Sequence, residues 1–284
     1  MKTLVAITLF FNSLHGTNFM PENNLDQEIS LNADAGLTQE QFNKVISDTE
    51  KVYQPIFKKF GVSLKVEKHW RDNTVNAYAQ QNSPTEWEVH MFGGLARRPE
   101  VTQDGFALVL CHELGHHLSG FPFVTDWAAN EGQSDMHATG ACAQKIFTDN
   151  TQLSLIADDV VPDLLKKKCD LNFKTAKSRD ICARSLAAGK SLANLLAVLK
   201  HEKVSFDTPD TSVVNVTDNE HPAAQCRLDT FVAAALCGAS KWDYDLIPGK
   251  NLDHESLEAQ TEAFNHSCPD GEGSRPKCWF AALE

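Results

Sequence analysis

Two histidines stand one helical turn apart in His112-Glu113-Leu114-Gly115-His116. A spacing of i, i+4 puts both imidazoles on one helix face, where a single cation can bridge them. Glu113 is turned about 100° from His112, beside such an ion rather than on it. From there it can take a proton from a water that the metal activates. A catalytic zinc uses three protein ligands and keeps a fourth position open, so a third ligand must follow. A histidine six residues past His116 is excluded, because Pro122 stands there and Ser119 stands where a glycine would be needed. Asp126 is one candidate. Glu131, within Asn130-Glu131-Gly132-Gln133-Ser134-Asp135, is the other. Glu131 is favoured because Asp135 lies one turn further on. Asp135 can accept the free ring N–H of a ligating histidine and fix its tautomer, which leaves Asp126 as a turn or N-cap residue. The predicted set is His112, His116 and Glu131 on zinc, Glu113 as general base and Asp135 behind the ligands. His117 is turned about 100° from His116 and reads as packing. His137 lies off the Glu131 face and reads the same way.

These residues need a scaffold. Phe42, Val45, Ile46, Val52, Ile56 and Phe57 form a helical stripe over 37–60, with Thr38 and Gln41 as a capping box and Gly61 as the stop. Strand signals follow at 62–66, 74–79 and 87–92. Pro84 and Gly93-Gly94 bracket the third, which marks it as an edge strand able to pair with an extended substrate. The zinc-binding helix spans 102–119 and is closed by Gly120 and Pro122. The second ligand helix covers 130–147, and further helical periodicity covers 152–168, 185–202 and 228–239. Residues 19–37 read as a loose lead-in, 204–222 as irregular, and 265–278 as a loop tied down by Cys268 and Cys278. The expected class is α+β: a small mixed sheet, an active-site helix and a mainly helical C-terminal region.

Composition narrows the function. The 284 residues are 42% hydrophobic and 23% charged, an ordinary globular balance. A formal net charge of -12 repels phosphate backbones and anionic membranes, so nucleic acid is excluded as a partner. No stretch beyond the first twenty or so residues is apolar for long enough to span a bilayer. Lys2 followed by the apolar run to Phe11 resembles a secretory signal, so residues 1–17 are expected to be removed, with the cut near Gly16. Residues 18–284 then form a single domain, of which 150–284 is the helical, disulfide-tied part. The eight cysteines include no C-x-x-C pair. An even count behind an export signal predicts disulfides and a secreted or periplasmic protein, with a pairing that the sequence leaves open.

The chain resembles the gluzincins, whose thermolysin-like members carry H-E-x-x-H followed by N-E-x-x-S-D, here at 112–116 and 130–135. It is more similar still to the CAAX-prenyl-protease-like zinc peptidases, including their soluble periplasmic members. That family has N-A-F/Y-A before a strand and the H-E-L-G-H helix, here Asn76-Ala77-Tyr78-Ala79. It also carries a later H-P-x-x-x-x-R, here from His221-Pro222 to Arg227. The likeness covers about residues 38–147 and 221–227, with a short gap of fourteen residues between His116 and Glu131. It implies a zincin-like fold and zinc-dependent hydrolysis of a peptide or protein substrate. It also implies a site role for His221, either as oxyanion donor or as a silencing fourth zinc ligand, and for Arg227, on Asp135 or on substrate. Tyr78 and Tyr244 are weaker donor candidates. The competing readings are a silent zinc-binding adhesion module on a peptidase scaffold and a cell-wall peptide amidase.

Overall fold

The computed structural model describes residues 16–29, 36–147, 160–238 and 242–284. The expected signal segment lies outside the described residues except for its last two positions, as do positions 152–159 of the expected helix at 152–168. The class is α+β, as expected.

Helix α1 (Gln39–Lys59) begins at the Thr38 capping box, with Gln41 answering it, and it buries Phe42, Val45, Ile46, Tyr53 and Phe57. Gly61 follows at φ +70°, a left-handed conformation that only glycine adopts without strain. Four strands form one mixed sheet: β1 (Thr17–Asn18), β2 (Ser63–His69), β3 (Ala77–Ser83) and β4 (Glu86–Phe92), in the order β1-β3-β4-β2. β2 runs parallel to β4, whereas β3 is antiparallel to both β4 and β1. Alternation puts Leu64, Val66, Ala77, Ala79, Trp87, Val89 and Met91 on the core side, and all seven are buried.

Two sequence expectations are corrected here. The strand at 87–92 is an interior strand, paired on both sides. Its bracketing Pro84 and Gly93-Gly94 belong to the β3–β4 turn and to a short helix, α2 (Gly93–Ala96). The expected loose lead-in at 19–37 opens instead on the fully buried Phe19 and Met20, directly after β1. A two-residue strand is too short for any period to register.

Helix α3 (Gln103–Leu118) starts at the Thr102 cap and is buried from Gly105 onward. It packs against α1, β3, α4 (Glu131–His137) and the long helix over Ala176–Val198. A π-helical turn at Ala138–Cys142 follows α4 and leads into α5 (Ala143–Ile146). Then come α6 (Asp163–Asn172), α7 (Ala176–Val198), α8 (Ala224–Leu236) and α9 (Leu257–Phe264), the last of which the sequence reading missed. Among the described residues no helix is long and apolar enough to cross a membrane.

All eight cysteines are paired. Cys111–Cys142 ties α3 to the π turn, and Cys169–Cys182 ties α6 to α7. Cys226–Cys278 and Cys237–Cys268 fasten the C-terminal loop to the two ends of α8. Such density fits an oxidising compartment.

His117 and His137 are core residues, as expected. His117 stacks between Trp87 and Trp127 and donates from Nε2 to the Glu88 carbonyl at 3.2 Å. His137 donates from Nδ1 to the Cys111 carbonyl at 3.0 Å, so its Nε2 accepts from the Tyr244 hydroxyl at 2.8 Å. Tyr244 in turn meets Tyr53 at 2.8 Å. Burial pulls each imidazole down to about 3.

Two outcomes follow. The Cys111→Ser/Cys142→Ser variant closes no loop across its 31-residue separation and should lose roughly 3–4 kcal/mol of unfolding free energy, read by urea denaturation against the parent. The second concerns acid. A histidine at about 3 in the fold and ~6.5 when unfolded is neutral and stabilising above pH ~6.5, and that stability drains as pH falls through the window. Metal-free protein should therefore lose up to about 1.4 kcal/mol per pH unit from each of the two residues. Denaturation midpoints between pH ~7 and ~4.5 measure this, with a shallower slope in His137→Phe.

Candidate metal centre

Helices α3 and α4 can bring their ligands together because their backbones nearly touch. A Cβ on Gly115 would lie 3.0 Å from both Cα and O of Ser134, so a larger residue there would push the helices apart. Asn130 caps α4 by accepting from the Gln133 N–H at 2.9 Å, which leaves Glu131 in the first turn facing α3.

Each histidine is anchored through Nδ1. His112 donates to Asp135 Oδ1 at 2.8 Å. His116 donates to the Ala129 carbonyl at 2.7 Å, with Ser134 Oγ at 3.0 Å. Both Nε2 lone pairs are thereby left bare and aimed inward. His112 Nε2 lies 3.3 Å from Glu131 Oε2, and His116 Nε2 lies 3.4 Å from Glu131 Oε1. Among the described residues neither imidazole Nε2 has a hydrogen-bond partner, and both Glu113 carboxylate oxygens are also buried without one. Orphaned buried polar atoms each cost about 1–3 kcal/mol, so a cluster of them calls for an ion. Separations near 3.4 Å are what two bonds of ~2.1 Å span at a tetrahedral angle. His112, His116 and Glu131 could therefore hold a metal ion. Asp210, Cys226 and Cys278 also lie close together, but both cysteines are spent in a disulfide.

Charges around the triad are coupled. Burial alone would raise Glu131, but His112, His116 and Arg227 hold it well below the usual carboxylate range. His112 is lowered by burial and then raised further by Glu131 and Asp135, to about 9 in the metal-free cluster. Glu113 is pushed well above the usual range by burial.

Arg227, on α8, is 1% exposed and forks onto Asp135 through Nε–Oδ2 at 2.7 Å and Nη2–Oδ1 at 2.8 Å. Its Nη2 lies 3.4 Å from Glu131 Oε2. His221 reaches in from the loop before α8, with Nε2 3.7 Å from Glu131 Oε1. That nitrogen donates to the Asn18 carbonyl at 2.8 Å. The exposed Asp126 takes no part in the cluster. Tyr244 sits behind α4 on His137, and Tyr78 stacks on His90 at 4.2 Å. The sequence reading missed Asn18 and Phe19 beside the site, and it named Asn76 only as part of a motif. Phe19 packs edge-on to His112 with ring centroids 5.2 Å apart.

No protein-family model, no curated protein and no solved structure matches this chain.

The purified protein is expected to carry about one divalent ion per chain. Glu131→Ala should abolish stoichiometric loading, and Asp135→Asn should weaken affinity by about 10–100-fold. Elemental analysis and chelator competition check both. Unchanged affinity in Glu131→Ala would remove that carboxylate from the ligand set.

Proposed function

We propose that the protein is a zinc-dependent metalloendopeptidase of the gluzincin type, secreted or periplasmic, acting on peptide or protein substrates. The observation that carries this reading is Glu113. A structural glutamate in a core is hydrogen-bonded, whereas this one is buried beside the metal ligands with both oxygens unpartnered. A carboxyl so placed is suited to work on a water. Zinc is the ion favoured by two imidazoles, one carboxylate and a second carboxylate behind an imidazole.

Zinc bound by this triad would supply Lewis-acid polarisation of a scissile carbonyl and a lowered pKa for the attacking water. The chain's own groups do the rest. Glu113 accepts the water's proton as attack proceeds and delivers it to the departing amine. His221, an N–H donor on the open side of the triad, faces the oxygen on which negative charge develops, and so serves as oxyanion donor rather than as a fourth ligand. Arg227 holds Asp135, and Asp135 holds His112 in the tautomer that presents Nε2. The resemblance to zincins rests on the two motifs, on their meeting in space and on a mixed sheet packed against the motif helix. A silent binding module would have no use for an unpartnered Glu113.

Glu113→Gln keeps the size of the side chain but cannot accept a proton. Hydrolysis of a peptide library by the zinc-loaded protein should fall by roughly 10²–10⁴-fold, with zinc content and denaturation midpoint unchanged. Retained activity would assign the base elsewhere, and lost zinc would make Glu113 a ligand.

A further inference from the structure

The chain runs past its own metal-ligand cluster as an extended peptide. Thr17 and Asn18 pair antiparallel with Ala79 and Tyr78 on the side of β3 away from β4. The Phe19 N–H donates to the Ala77 carbonyl at 3.0 Å. Asn76 takes both backbone groups of Met20: Oδ1 accepts from the N–H at 3.0 Å and Nδ2 donates to the carbonyl at 3.2 Å. Arg227 Nη1 donates to the Phe19 carbonyl at 2.6 Å, and His221 Nε2 to the Asn18 carbonyl at 2.8 Å. All of these bonds read main chain, as a cleft that receives extended peptides does. One side chain is also seated: the Phe19 ring, with no exposure, fills the space between His112 and the Arg227 guanidinium, 4.7 Å away.

The register singles out one bond. The Asn18 carbonyl is the one bound by His221, whose Nε2 lies 3.7 Å from the ligand oxygen Oε1 of Glu131. The next carbonyl is held by Arg227, the residue that also orients Asp135. Asn18–Phe19 is thus the peptide bond flanked by the two carbonyls that His221 and Arg227 hold.

We propose that Asn18–Met20, together with Thr17 where the signal cut near Gly16 leaves it, occupy the peptide-binding cleft in cis and that Asn18–Phe19 is a self-cleavage site. This rests on the peptidase reading above. Water adds its oxygen to the Asn18 carbonyl carbon, and the C–N bond to Phe19 breaks. Glu113 takes a water proton and passes it to the Phe19 nitrogen, leaving an Asn18 carboxylate and a Phe19 α-ammonium. Tethering supplies the segment at high effective concentration. After the cut, Phe19 and Met20 stay anchored by Ala77, Asn76 and Arg227. Among the described residues, Thr17 and Asn18 then keep a two-residue pairing and the His221 contact, and the buried Thr17 hydroxyl meets no hydrogen-bond partner. Their departure opens the half of the cleft along β3 that they had covered.

The test is the N-terminus of the full chain, expressed with zinc as wild type and as Glu113→Gln, read by intact mass and N-terminal sequencing. The expected result is a wild type that begins at Phe19 and a Glu113→Gln protein that retains the Asn18–Phe19 bond. The same N-terminus in both proteins overturns the proposal. If wild type then still hydrolyses added peptides in a Glu113-dependent way, the peptidase reading stands; if it hydrolyses none, that reading falls with it. A second measurement needs no activity. In metal-free Glu113→Gln protein the Phe19 and Met20 amides should exchange slowly with solvent deuterium, and Asn76→Ala in that background should speed Met20 exchange at least tenfold. Fast exchange at both amides before that substitution overturns the cleft occupancy.

Discussion

Asp135 carries a fully buried carboxylate that answers two elements at once: His112 of α3 through Oδ1 and Arg227 of α8 through both oxygens. Burying an ion pair is expensive, and it is tolerated only where geometry is good and further hydrogen bonds satisfy both ions. Here the carboxylate takes a forked pair plus an imidazole N–H. The guanidinium also spends a donor on the Phe19 carbonyl. Removing any one member would strand a charge in a dry interior, so α3, α4, α8 and the N-terminal strand are fixed relative to one another by one junction. The triad of His112, His116 and Glu131, which could hold a metal ion, inherits that precision. His112 presents Nε2 only because Nδ1 is committed to Asp135, and His116 presents Nε2 only because Nδ1 is committed to Ala129.

Covalent ties reinforce the same frame. Cys111 precedes His112, and its bridge to Cys142 joins the ligand helix to the π turn that follows α4. Cys226 precedes Arg227, and its bridge to Cys278 clamps the helix that carries the arginine. Two of the four disulfides thus sit one residue from a site side chain, so constraint is concentrated where a displacement of an ångström would separate ligands.

The N-terminal strand shows how one piece of chain can belong to both core and site. Phe19 and Met20 are as buried as any residue of α3, yet their backbone groups are met by Asn76, Ala77 and Arg227, the last of which also holds Asp135. Hydrophobic burial holds the segment in place, while the hydrogen bonds set its register.

Local chemistry was legible in the sequence. Helical spacing put His112 and His116 on one face with Glu113 off it, the Thr38 cap and the alternation at 62–66 located a helix and a strand, and Asp135 was traceable because it lies one turn beyond Glu131. These are properties of residues within a turn or two of each other, which backbone geometry alone decides. Tertiary structure decided the rest. Bracketing glycines and a proline could not tell an edge strand from an interior one, because pairing partners of 86–92 come from 63–69 and 77–83. Disulfide partners up to 52 residues apart, the Arg227–Asp135 fork and the seating of Asn18 and Phe19 against residues some two hundred positions away depend on how helices and strands pack. No local pattern encodes them, since the energy that selects them comes from burial shared among distant segments.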